Sequence, residues 1–248
     1  GSITFAGLPQ RVKAPAPTDI RAYNRGEFII GWSDSLRHPV WCAYHVKKEQ
    51  RFDDGKRPSF AIDKSIPLSP RPDDYTKSGY DRGHMAPNHA IMSRYGENAR
   101  QQTFLMSNIA PQKPELNRGV WRNIEHRIAD LWTARYGEIW VIVGAIPSES
   151  GKRFANGIDI PSAFYQLIVA QEGMDVRALA MIIPQEVGWD AWAARYIVSI
   201  DELEELTGLD FLSTMPSFIQ DPLEAEVPTR LWPVRAQDVF KLILSRFN

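Results

Sequence analysis

The sequence has one cysteine, Cys42, among 248 residues, so neither an internal disulfide nor a cysteine-built zinc cage can staple the fold. It has no apolar run near the ~20 residues that span a bilayer, and insertion in a membrane is not expected. The richest stretches, from Ile139 to Ala145 and from Phe164 to Ala170, are strand-sized. Net charge is also nearly absent, with 29 Lys+Arg against 30 Asp+Glu. A globally basic footprint is therefore excluded, and any site for a polyanion must be local. No internal repeat or low-complexity tract is present. What remains is a globular composition, 44% hydrophobic and 24% charged, at a length that fits one large domain. Residues 1–22, with Pro9, Pro15 and Pro17, read as an extended lead-in, and 23–248 as one domain without a linker.

The pattern within that domain is α+β, a central and mainly antiparallel sheet flanked by helices. Glu27 to Trp32 and Val40 to Val46 are β-branched and aromatic runs around a Ser-Asp-Ser turn, as in a hairpin. Gln102 to Ile109, Glu138 to Ala145, Ser162 to Ala170 and Val176 to Ile183 read as further strands. Trp121, Ile124, Ile128, Leu131 and Trp132 recur at spacings of three and four, which predicts a helix from about Gly119 to Tyr136. Trp189 to Tyr196 and a stretch from Ala236 also read as helical, and Ser199 caps a helix with Glu202 three residues on. By contrast, 51–80 is proline-rich and irregular, a length of loop that a compact domain keeps for function.

That loop feeds a short chemical segment, Asp81-Arg82-Gly83-His84-Met85-Ala86-Pro87. An imidazole can take a proton near neutral pH, and a guanidinium can hold a phosphate through paired hydrogen bonds. Read alone, the segment also fits a surface turn with an Asp-Arg pair. Downstream, Asn108, Gln112 and Asn117 precede a helix carrying Glu125, and amide and carboxylate oxygens suit a hard cation. On one straight helix Asn117 and Glu125 would lie roughly 12 Å apart. The pattern therefore favours Asn117 in the lead-in to the helix as the direct ligand, with Glu125 reaching the ion through water. A helix cap at Asn117 and a solvated Glu125 are the plain structural alternative.

The ordered set Asp81-Arg82-Gly83-His84, Ser107-Asn108-Ile109-Ala110-Pro111-Gln112, Asn117, Trp121 and Glu125 resembles the DNA/RNA non-specific endonuclease family. This is the ββα-metal group that includes endonuclease G and sugar-non-specific nucleases. The likeness extends from Ala43-Tyr44 to Thr207-Gly208-Leu209-Asp210-Phe211. It implies a magnesium-dependent hydrolase of DNA and RNA, with manganese as the alternative ion, leaving 5′-phosphate and 3′-hydroxyl ends. It further implies His84 as general base, Asn117 as direct metal ligand, and Glu125 on a water of the ion. Arg82 and an upstream arginine would support the site; Arg57 matches the latter, with Arg51 as substitute. Phe104 stands where some bacterial members carry a polar amide, which leaves Asn108 and Gln112 to reach the ion through water. The family's habits suggest a homodimer, a protein inhibitor, and a periplasmic or secreted location, with mitochondrial and cytoplasmic locations left open.

Charge distribution accords with such a partner. Lys47, Lys48, Arg51, Lys56, Arg57, Lys64, Arg71, Lys77 and Arg82 gather before or in the motif, and Arg118 and Arg122 beside Asn117. Of these, Arg51, Arg57, Lys77, Arg82, Arg118 and Arg122 are candidate nucleic-acid contacts. Acidic residues from Asp201 to Glu226 gather at the other end. Trp121, Trp132 and Trp140 read as core, and Tyr75 and Tyr80 as candidates for base stacking. His89 and His126 match no recognised zinc spacing. Two other functions are weighed against the nuclease: a nucleic-acid-binding scaffold, and a phosphodiesterase for small substrates.

Overall fold

A computed structural model describes residues 2–53 and 55–245, with 242–245 described as backbone alone. The chain opens with β1 (Gln10–Arg11), β2 (Ile20–Asn24), β3 (Phe28–Ser33) and β4 (His38–Val46). After the irregular stretch come β5 (Asp81–His84), α1 (Asn88–Tyr95), α2 (Glu97–Thr103) and β6 (Ile109–Gln112). A helical stretch then covers 116–136, in which the wider turns Leu116–Trp121 and Arg127–Trp132 alternate with α3 (Arg122–His126) and α4 (Thr133–Tyr136). β7 (Ile139–Ile146), β8 (Ala163–Glu172), β9 (Asp175–Pro184) and β10 (Ile197–Val198) follow. α5 (Ile200–Thr207), β11 (Leu209–Asp210), α6 (Ser217–Ala225) and α7 (Ala236–Ser245) complete the order. Among the described residues no helix is long and apolar enough to cross a membrane.

The main sheet has seven strands in the order β10-β9-β8-β7-β4-β3-β2, every neighbour antiparallel. β4 is buried over its whole length because both faces of the sheet are covered. On one face Phe28, Ile30, Trp32, Tyr44 and Val141 belong to a core shared with Trp121, Ile124, Ile128 and Trp132 of the 116–136 helix. The threefold and fourfold spacing of those helix residues is thus the contact stripe that seats the helix on the sheet. On the other face Trp41, Ala43, Ile142, Leu167 and Val169 share a core with Ala6, Ala16, Leu203 and Phe211. N-terminal residues therefore help to form that core, β1 pairs with β11, and β2 begins at Ile20, before the position where the sequence suggests the domain starts.

Two readings of local structure are corrected. Gln102 to Ile109 is not a strand: α2 runs to Thr103, Met106–Asn108 is a tight turn, and pairing starts only at Ile109. The Thr103 hydroxyl donates 2.7 Å back to the Arg100 carbonyl, and Phe104 and Met106 are buried from the turn rather than from a pleat. The helix expected over Trp189 to Tyr196 shrinks to a single turn at Ala193–Tyr196, because Trp189 and Trp192 face solvent while Ala193 packs inward. Helices α1, α2 and α6 are not among the elements expected from the sequence. The first two are separated by Gly96, whose φ of +86° is a left-handed value that glycine adopts freely.

Candidate active site

β5 and β6 form an antiparallel ribbon with Asp81 opposite Gln112, Arg82 opposite Pro111, Gly83 opposite Ala110 and His84 opposite Ile109. Followed by the 116–136 helix, the ribbon makes a ββα unit. Alternation along β5 sends Arg82 and His84 to one side and Asp81 and Gly83 to the other. A Cβ on Gly83 would stand 2.2 Å from Gln112 Oε1 and 2.6 Å from its Cγ, so the glycine lets Gln112 lie across the ribbon. Gln112 is buried there and lines no part of the cleft described below.

Asn108 is also placed elsewhere than its expected role requires. Its Oδ1 accepts from the Ala86 N–H at 2.9 Å, and its Nδ2 donates to the carbonyls of Ala86 and Thr103, both at 3.0 Å. The amide is occupied by backbone and pins the chain just beyond His84. The structure therefore does not bring Asn108 or Gln112 to the cleft: the Asn108 amide is taken up by backbone, and the Gln112 amide is buried beneath Gly83 with no hydrogen-bond partner among the described residues.

Asn117 and Glu125 do come to one cleft. The straight-helix spacing does not apply, because Gly119 breaks the helix with φ −100° and ψ −114°. Asn117 Nδ2 donates to Asp81 Oδ2 at 2.9 Å, leaving its carbonyl oxygen available. Arg118 also clasps Asp81, through Nε to Oδ2 at 2.8 Å and Nη2 to Oδ1 at 2.7 Å. Burial alone would raise the Asp81 pKa, but the hydrogen bonds from Arg118 and Asn117 prevail and hold it below the ordinary value. Asp81 is the site residue whose task the sequence leaves unread. The available signal was a carboxylate two residues before the glycine that admits Gln112, on the ribbon face opposite His84.

The cleft measures about 1120 Å³ and is lined by Arg57, Phe60, Tyr80, Asp81, Arg82, His84, Asn117, Arg118, Arg122 and Glu125, with Asp238 and Lys241 of α7 at its border. His84 sits between Phe104, 4.8 Å between ring centroids, and Phe60, 5.5 Å. Burial, assisted by the charge of Arg57, lowers its pKa to about 3, which keeps the imidazole neutral at physiological pH. Burial pushes Glu125 up to about 8, against the opposing charges of His89 and Arg122. Two titrating groups driven apart by their surroundings are a mark of functional sites.

The candidate arginines divide. Arg57 reaches the cleft with its guanidinium 5.1 Å from the Phe104 ring centre, whereas Arg51 lies outside the lining. Arg82 borders the cleft, but its Nε and Nη2 donate to the Pro72 carbonyl at 3.0 and 2.7 Å, which ties the irregular stretch to the ribbon. Arg118 and Arg122 line the cleft from the helix, while Lys77 occupies a left-handed turn position at φ +59° outside it. Tyr75 is buried, edge-on to Phe154, so only Tyr80 of the two tyrosines opens on the cleft. His89 and His126 meet with ring centroids 5.9 Å apart, each at 3.0 Å from a different oxygen of Asp130.

The profile of the DNA/RNA non-specific endonuclease family matches residues 10–218. The chain belongs to the DNA/RNA non-specific endonuclease family. Its members' shared description makes it a nucleic-acid-cleaving hydrolase. A nuclease of Nostoc sp. is 31% identical over 82% of the chain and 77% of that relative. Mitochondrial nuclease EXOG of Homo sapiens is 30% identical over 85% of the chain, which spans only 61% of EXOG. Mitochondrial endonuclease G of Bos taurus is 28% identical over 84% of the chain and 78% of the relative. A solved structure of EndoG bound to EndoGI superposes with a TM-score of 0.73 at 24% identity, over 88% of the chain and 91% of that chain, and shows the shared fold.

Proposed function

We propose that this family member hydrolyses phosphodiester bonds of DNA and RNA, with His84 as general base and Asn117 holding a magnesium ion, leaving 5′-phosphate and 3′-hydroxyl ends. The observation that carries this reading is the meeting, in one cleft, of a neutral His84 with an Asn117 whose amide nitrogen is tied to Asp81. The donor set fits a hard divalent cation: one free amide oxygen on Asn117, and a desolvated carboxylate on Glu125 whose pKa of about 8 leaves it in want of positive charge. When bound, the ion supplies charge against that developing on the phosphate and the leaving oxygen.

The protein residues account for the rest. An imidazole nitrogen of His84 accepts a proton as the oxygen of a water molecule bonds to phosphorus. The P–O3′ bond breaks, and the departing oxygen takes a proton from solvent. Phe60 and Phe104 fix the imidazole plane, and Asp81 fixes the Asn117 rotamer. Arg57, Arg82, Arg118 and Arg122 supply phosphate contacts that ignore sequence. Glu125, which lines the same cleft, would hold a water of the ion. Self-association, an inhibitor of the kind that the EndoG neighbour binds, and a periplasmic or secreted location belong to the same reading. The EXOG and endonuclease G relatives are mitochondrial.

The test is digestion of supercoiled plasmid and of single-stranded RNA with magnesium, with EDTA, and with His84→Ala or Asn117→Ala. Cleavage of both polymers, lost in every control, is expected. Binding without cleavage by the wild type would favour a scaffold, and cleavage of mononucleotide esters alone a small-substrate phosphodiesterase.

A further inference from the structure

Beyond the cleft, two large rings stand in solvent at a place the catalytic reading does not use. Trp189 is 62% exposed and Trp192 51% exposed. Isolated exposed tryptophans are common enough, but the segment that carries these two is anchored at its start. Gln185, at the foot of their segment, is buried and donates to the carbonyls of Pro111 and Pro161 at 2.8 and 3.1 Å. Its Oε1 accepts from the Lys113 N–H at 2.9 Å, so the segment is fastened to the catalytic ribbon. The Trp189 ring lies over the Gly119 kink, two residues from Asn117, where a Cβ on the glycine would meet its Cε3 at 3.8 Å. Arg127 places its guanidinium 5.4 Å from the Trp192 ring centre. Arg118 and Arg122 project from the same helix on the side of the cleft.

Rigid aromatic faces interleaved with arginines form the arrangement by which proteins hold unpaired bases: rings stack on bases while cations follow the phosphates. Paired bases keep their faces covered by neighbouring pairs and cannot use such a platform. Resting on the nuclease reading, we infer that Trp189 and Trp192 form a stacking platform for unpaired nucleotides adjoining the scissile phosphate, giving the chain a preference for single-stranded segments. Continuity with the cleft through Gly119 and Arg118, and the Arg127 guanidinium set against the Trp192 ring, argue for nucleic acid as the occupant rather than a second copy.

The experiment measures fluorescence anisotropy of labelled single-stranded oligothymidylate and of a matched duplex in EDTA, where binding is read without cleavage. It compares the wild type with the double variants Trp189→Ala/Trp192→Ala and Trp189→Phe/Trp192→Phe, with mass followed by light scattering. The alanine pair should weaken single-strand binding roughly 10- to 100-fold and duplex binding no more than about 2-fold. The phenylalanine pair, which keeps a π-face at each position, should recover most of the loss. Equal losses on both polymers, no loss on either, or a fall in mass on alanine substitution would overturn the platform, the last revealing an interface between copies. A wild type that binds single strands tightly yet cuts nothing would sustain the platform while removing the nuclease reading on which its purpose rests.

Discussion

Asp81→Asn isolates the orienting role of a residue that touches neither phosphate nor base in this account. The carboxylate accepts three hydrogen bonds, from Asn117 Nδ2 at 2.9 Å and from Arg118 Nε and Nη2 at 2.8 and 2.7 Å. An amide in its place offers one acceptor oxygen, and its NH2 would face another donor. Either Arg118 or Asn117 must then let go. The Arg118 side chain is 61% exposed, so solvent screens its ion pair and the pair contributes little. The bond to Asn117 matters more, because losing it allows the amide to flip and present nitrogen where the ion needs oxygen. Removal of such an outer partner costs about 10- to 100-fold in metal affinity. Manganese binding followed by paramagnetic resonance, without nucleic acid, should show that loss for Asp81→Asn and less than about 3-fold for Arg118→Ala. Equal affinity in Asp81→Asn and wild type, with unchanged melting, would refute the reasoning.

Gly83→Ala should destabilise the fold by about 1–3 kcal/mol, since its Cβ would meet Gln112 at 2.2 to 2.6 Å. Adding Gln112→Ala should recover most of that in chemical denaturation, and additivity of the two would exclude the clash as the cause. Glu125 is held up at about 8 from an ordinary 4.5, so the folded protein keeps a proton that the unfolded chain has lost. Metal-free stability should therefore fall as pH rises from 4.5 to 8, by at most about 5 kcal/mol, and Glu125→Gln should flatten the slope. Magnesium loading near pH 7 should release a proton, visible in calorimetry as heats that vary with the buffer's ionisation enthalpy; buffer-independent heats would contradict this. If Arg57, Arg82, Arg118 and Arg122 all contact phosphates, duplex affinity should fall with a log–log salt slope of about −3 to −4. A slope near zero would remove the electrostatic account.

The sheet and its central helix were legible because their residues repeat with the period of the structure that buries them. Trp121, Ile124, Ile128 and Trp132 form the stripe on the sheet, and the β3–β4 hairpin is flanked by its predicted turn. Residues that act through geometry were less legible. Asn108 and Asn117 are the same residue type nine positions apart, yet a turn commits one amide to backbone and a kink at Gly119 opens the other to the cleft. No local pattern distinguishes them, because the difference arises from which strand or helix each adjoins. The same holds for Arg57 and Arg51, which are separated only by how the irregular stretch folds back under Phe104. Trp189 and Trp192 invite a helical reading by their spacing, but burial went to Ala193 instead.

Removal and chemical replacement of the base test the central claim most directly. Single-turnover cleavage of a labelled oligonucleotide by His84→Gly, with magnesium and with rising imidazole, isolates proton transfer from binding. The account predicts a loss of about 10²- to 10⁴-fold that imidazole partly restores, in proportion to its neutral form, with metal affinity unchanged. Near-wild-type cleavage without imidazole would show that His84 is not the base.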